Sequence, residues 1–214
     1  MILKKERYND ERAIKKGNSL MLKKVIKEAF PTVLAFTMSG MYSIVDGIFV
    51  GKAAGDTGLA AINIAWPIPA LITALGIGIG TGGSVLYSHY RGRGEQKVCE
   101  NLFELTMTLL IGTGILATIL LSLVQKPFLE ILGAAGSVQT EAIKYTAIII
   151  AGSILQVAGT GIMPLLRNMN QSLGAMLSMA AGFAVNILVN YYLMFRLNMG
   201  IKGAAFGTVT AQAV

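Results

Sequence analysis

Apolar residues run along this chain in long blocks rather than alternating with polar ones. The blocks cover residues 29–51, 59–87, 105–124, 145–166 and 174–195, and a sixth begins at Gly203. A helix needs about 20 apolar residues to cross the hydrocarbon of a bilayer. The first five blocks meet that length, so the pattern predicts an all-α integral membrane protein with five full spans and the start of a sixth. Polar connections separate them: GKAAGDTG, SHYRGRGEQK, RNMNQS and RLNMGIKG. A longer one, QKPFLEILGAAGSVQTEA, is expected to hold a short interfacial helix at Phe128 to Leu132.

Two domains follow from this. Residues 1–28 form a basic tail and residues 29–214 a transmembrane lobe. At the end of the tail, Leu22, Val25, Ile26 and Ala29 share one helical face, with Lys23, Lys24 and Lys27 on the other. That pattern suits a helix lying on an anionic membrane surface. A solvated cytoplasmic tail is an equal alternative. The sixth block has 12 residues after Lys202. They span about 18 Å, against about 30 Å of hydrocarbon. The chain is therefore expected to be the N-terminal part of a longer protein, with a C-terminal lobe of the same full-length chain as its partner.

Composition agrees. Of 214 residues 54% are hydrophobic and 14% charged, and mean hydropathy is +0.63. A soluble domain carries about 25% charge. Net charge is +7, but half of the 18 basic residues precede Glu28. This is an orientation signal, not a nucleic-acid footprint. With the N-terminus cytoplasmic, thirteen Lys and Arg fall inside and five outside. That bias follows the positive-inside rule and predicts a multi-pass protein of the cell (inner or plasma) membrane. One cysteine, Cys99, and one histidine, His89, exclude a disulfide framework and a multi-histidine metal site. Cys99 reads as an ordinary buried residue and His89 as an interfacial one, with a proton relay as its lesser alternative. No cleavable signal peptide is evident.

Within the second block lies GIGIGTGG. Gly78, Gly80 and Gly83 match GxGxxG, but that fingerprint needs a strand before it and a βαβ unit around it. Close helix packing is the better reading, through the four-residue pairs Gly76 with Gly80, Gly78 with Gly82 and Gly203 with Gly207. Asn170-Gln171-Ser172 forms a glycosylation sequon but falls in an inner loop. There is no P-loop, HExxH or nucleophile elbow. No enzymatic activity is expected, and no cofactor beyond a coupling ion.

The chemistry sits in polar residues at membrane depth. Asp46 is the one carboxylate inside the spans as drawn. At a helix centre it costs about 2.5–3.5 kcal/mol on insertion scales, which makes it a functional candidate. Asn186 and Asn190 are four apart and share a helix face. Counted from the outer boundary, Asp46, Asn190 and Thr208 lie at one depth, roughly 8–9 Å down. Together with Asn186 they make an oxygen-rich set suited to a cation or proton. The alternative is that the two asparagines and the threonine only hydrogen-bond between helices. Pro31 stands near the start of the first span, where its missing N–H is cheap or where it kinks the helix.

These residues resemble the multidrug and toxic compound extrusion (MATE) transporters, especially the bacterial branch. The likeness starts at IVDGIFVGKAAGDTGLAAINIAWPI and continues through LYSHYRGRGEQKVCENL. It closes on LLRNMNQSLGAML, NILVNYYLMF and MGIKGAAFGTVTAQ. It implies the N-terminal six-helix lobe, with its sixth helix truncated, of a twelve-helix transporter. Such a protein exports small amphiphilic molecules and organic cations in exchange for H+ or Na+, by alternating access. The resemblance places Asp46, Asn186 and Thr208 on the family's ion-site residues and Pro31 on its bending proline. Asn190 departs from the family, where many members carry aspartate. The competing readings are a lipid-linked oligosaccharide flippase of related architecture and a non-transporting membrane scaffold subunit.

Overall fold

A computed structural model describes the backbone from Ile2 onward, and side-chain surroundings from residue 21, positions 24 and 28 excepted. The sequence expectation for residues 1–20 as a basic tail therefore concerns side chains outside the described residues. So does the part of the amphipathic pattern that rests on Lys24.

The regular elements are helices: α1 (Ile2–Ala65), α2 (Pro67–Gly92), α3 (Gln96–Ile131), α4 (Gly136–Ala151), α5 (Ser153–Asn168), α6 (Ser172–Asn190) and α7 (Ile201–Gln212). Between α6 and α7, Tyr191–Arg196 forms a π-helical turn.

GKAAGDTG, expected as a loop, is helical except at Gly55, whose φ of 63° and ψ of −164° break the ladder. The chain folds back there. A Cβ on Gly58 would lie 3.7 Å from Val50 Cγ1. Eight residues of straight helix would separate those positions by about 12 Å. The helical run Met21–Gly92 is therefore two apolar helical arms, hinged at a glycine whose backbone other residues rarely adopt. A second interruption at Trp66 has a different cause. Trp66 keeps helical dihedrals, but Pro67 and Pro69 supply no N–H to the turn before them.

Two more expectations need correction. Residues 128–131 are not a separate interfacial helix, because α3 runs through Lys126 and Pro127 to Ile131. The proline removes one hydrogen bond from a 36-residue helix without ending it. The fourth span is not straight either. It is the pair α4 and α5, bent by 60° at Gly152. A Cβ at Gly152 would lie 2.5 Å from Val209 Cγ2, so the bend lies directly against α7.

α2 packs mainly on α5 and α3, α1 on α6 and α4, and α7 on α6 and α4. Their inner faces share one core that includes Ile68, Ile72, Leu110, Ile149, Val157 and Met194. Outward, α3 exposes Leu105, Leu109, Leu116, Leu120 and Leu123 along its length. A soluble surface rarely carries so long an apolar stripe, and lipid covers it at no cost.

The glycine pairs divide. Gly76 and Gly80 face Val157 and Gly161 of α5, and Gly203 faces Leu193 and Met194. Gly78 and Gly82 have no heavy atom within 4 Å of an added Cβ, so their expected packing is absent.

Candidate ion-binding site

The site forms where α1, α6 and α7 converge. Asp46 on α1 is 9% exposed, and Asn186 and Asn190 on α6 are 1% exposed. Asn190 Nδ2 donates to Asp46 Oδ1 at 2.8 Å and to Asn186 Oδ1 at 3.1 Å. The helical repeat places the two asparagines on the face toward α1. Asn190 is also the last α-helical residue before the π turn Tyr191–Arg196. Such turns frequently mark functional sites, because the extra residue re-aims the neighbouring side chains.

Thr208 does not touch Asp46 directly. It joins through Tyr42, whose hydroxyl lies 2.8 Å from Thr208 Oγ1 and accepts from Asn186 Nδ2 at 3.3 Å. Sequence reasoning missed Tyr42. Its signal was available, since it stands one helical turn before Asp46 on the same face. Pro31 lies apart from this cluster, 15 residues before Asp46 in α1, which stays helical through it.

Two features bear on chemistry. Among the described residues no basic side chain pairs with Asp46, the one ion pair being Lys144–Glu141. Asn190 Oδ1 is buried and accepts no hydrogen bond. An unsatisfied buried carbonyl costs about 1–3 kcal/mol. The set therefore holds an uncompensated carboxylate beside an oxygen whose lone pairs are free, with more oxygens on Asn186, Thr208 and Tyr42. A small cation or a proton satisfies both. No group of three or more His, Cys, Asp or Glu able to hold a metal occurs among the described residues.

Gly207 sets the clearance. It packs directly on the Asn190 side chain, where a Cβ would lie 2.8 Å from Cγ. Elsewhere, His89 is exposed and packs edge-on against Tyr90 at 5.4 Å between centroids. Cys99 is buried, and its Sγ donates to the Tyr87 carbonyl at 3.7 Å.

Tyr42→Phe removes the hydroxyl that links Thr208 to Asn186. The lost bond is worth about 1 kcal/mol. The folded lobe is expected to lose about that much stability, read as a lower thermal midpoint of the purified protein, with no change in its helical content.

A bent, broken helical lobe with a buried polar cluster among apolar spans is the architecture of a secondary transporter. The MatE family model matches residues 31–192, and the chain belongs to that family. Multidrug export protein MepA of Staphylococcus haemolyticus is 22% identical over 211 residues, covering 96% of this chain and 45% of that protein. MepA of Staphylococcus aureus is 23% identical over 207 residues, covering 95% and 45%. The chain thus spans about half the length of these curated relatives. A crystal structure of MATE in complex with MaD3S superposes with a TM-score of 0.83 at 25% identity, covering 88% of this chain and 42% of that one. A MOP superfamily transporter from Pyrococcus furiosus gives 0.80 at 24% identity, with the same coverage, and shows the fold alone. The fold is that of the N-terminal lobe of a bacterial MATE transporter in the multidrug efflux family, a multi-pass membrane protein.

Proposed function

We propose that this chain is one lobe of a cation-coupled antiporter that exports small amphiphilic or cationic molecules by alternating access. The observation that carries this reading is Asp46, buried, without a basic partner among the described residues, and held by Asn190. A carboxylate so placed binds an ion on one side of the membrane and releases it when the lobe rearranges. The substrate sits between this lobe and a second one, and the N-terminus faces the cytoplasm. Pro31 lets the inner part of α1 bend during the cycle.

Protons are the preferred coupling ion. Sodium favours several oxygen ligands, and a second carboxylate helps offset its dehydration. With Asn190 in place of an acid the site carries one formal charge, which a single proton cancels. The test uses full-length protein in liposomes, with pH and sodium gradients imposed separately. Export driven by the pH gradient at clamped sodium is expected. Export driven only by sodium would overturn proton coupling. Asn190→Asp is expected to move the preference toward sodium, and an unchanged preference would show that this position does not set it.

A further inference from the structure

Gly203 and Gly207 have the spacing of a helix-packing pair, yet they meet different things. On Gly203 a Cβ would meet Met194 and Leu193 of the π turn, which is close packing of the ordinary kind. On Gly207 it would meet the polar end of Asn190, 2.8 Å from Cγ and closer still to Oδ1. Real Cβ atoms essentially never come within 3.0 Å of another heavy atom.

The orientation of that carboxamide is fixed by its partners. Nδ2 carries two hydrogens, and both are committed. One goes to Asp46 Oδ1 at 2.8 Å and one to Asn186 Oδ1 at 3.1 Å. A flipped amide would set its oxygen against two other oxygens. The carbonyl end therefore turns away from the carboxylate, toward α7, where it accepts no hydrogen bond. It occupies the volume that a side chain at position 207 would fill.

Asp46 has no other hydrogen bond among the described residues. Its donor thus depends on a carboxamide that fits because residue 207 has no side chain. α7 has little room to retreat, since Ala204 and Ala205 beside it are fully buried in the shared core. The next residue, Thr208, is tied to the same cluster, its Oγ1 lying 2.8 Å from the Tyr42 hydroxyl. What gives way to a new methyl group is the end of the Asn190 side chain, which turns on two torsions. Turning it breaks the bond to Asp46.

We infer that Gly207 is a positioning residue of the ion site, whose bare Cα seats the Asn190 carboxamide so that Nδ2 reaches Asp46. The seat is a matter of packing and hydrogen bonding alone. Its consequence for coupling rests on the export reading above.

Two measurements on the purified full-length protein test the seat. The first is the side-chain amide signal of Asn190, read by NMR with isotope-labelled asparagine and assigned by its absence in Asn190→Ala. A hydrogen bond to a carboxylate moves such a signal downfield, and Gly207→Ala is expected to lose that shift. Gly182→Ala is the control. It also crowds the contact between α6 and α7, with a Cβ 2.9 Å from the Ala211 carbonyl oxygen, but meets no site residue. It is expected to keep the shift. The second measurement is a thermal double-mutant cycle. Gly207→Ala is expected to lower the midpoint by about 5 °C in the wild-type background. In Asn190→Ala it is expected to lower it not at all, because the nearest remaining atom to the new Cβ is Asn186 Nδ2 at 3.4 Å. Should Gly207→Ala alone fail to fold, the double variant decides, since it folds if the clash is with Asn190. An unmoved amide signal in Gly207→Ala, or the same penalty in both backgrounds, would overturn the inference. On the export reading, Gly207→Ala also loses gradient-driven export and Gly182→Ala keeps it. A moved amide signal with normal export would leave the seat standing and overturn the part given to the Asp46–Asn190 contact in coupling.

Discussion

Asp46→Asn is expected to reduce gradient-driven export by the full-length protein to background while leaving the fold as stable as wild type or more so. The replacement keeps the shape of the side chain, and the carbonyl of the new carboxamide still accepts from Asn190 Nδ2, now 2.8 Å from Asp46 Oδ1. What disappears is the charge. Burying a charge at membrane depth is unfavourable, by up to about 2.5–3.5 kcal/mol at a helix centre, so removing it relieves the folded state. An ordinary structural residue behaves the other way: its loss lowers stability and activity together. Vesicle flux and a thermal midpoint on one preparation separate the two cases. Normal flux in Asp46→Asn would remove Asp46 from the coupling mechanism. A collapsed midpoint with lost flux would make it a packing residue.

Gly80→Leu is expected to prevent assembly of the lobe. The added Cβ would lie 2.7 Å from both the Cα and the carbonyl carbon of Gly161, where α2 crosses α5. Backbone cannot swing aside as the tip of a side chain can. Overpacking by a single methylene already costs about 1–3 kcal/mol, and a leucine here must part the two helices along their most extensive contact. Gly112→Leu supplies the control, because an added Cβ there meets nothing within 4 Å. Substitutions away from packed features usually stay within about 0.5 kcal/mol. Size-exclusion chromatography of the two full-length variants is expected to show loss of the folded peak for Gly80→Leu alone. Equal peaks would mean that the α2–α5 contact does not limit folding.

The site was legible because depth counting rests on a constant rise per residue. Asp46 and Asn190 stand at one depth by count and hydrogen-bond in the structure. Thr208 was placed at the same depth, yet reaches the cluster only through Tyr42. The four-residue step from Tyr42 to Asp46 puts its hydroxyl on the site's face, a signal that hydropathy alone hides because an aromatic residue blends into an apolar block. The π turn after Asn190 was invisible as well, since a change in hydrogen-bond register leaves no mark on an apolar sequence. Hydropathy found the spans but not their ends or bends. It reads Lys126-Pro127 as a stop, although one missing N–H does not end a long helix. It reads Gly55 as one residue of a loop, although that residue alone breaks the helix there. Four-residue spacing of glycines marks a stripe but not the side it faces. Gly76 and Gly80 therefore meet α5, while Gly78 and Gly82, turned about half-way round the same helix, meet nothing.

The central claim is that Asp46 carries the ion exchanged for substrate. The most direct measurement adds a cationic dye to purified full-length protein in weakly buffered solution at constant sodium, and follows bound dye and pH together. Wild type is predicted to release protons in proportion to the dye bound, and Asp46→Asn to bind dye without releasing them. Equal proton release by Asp46→Asn and wild type would contradict the account.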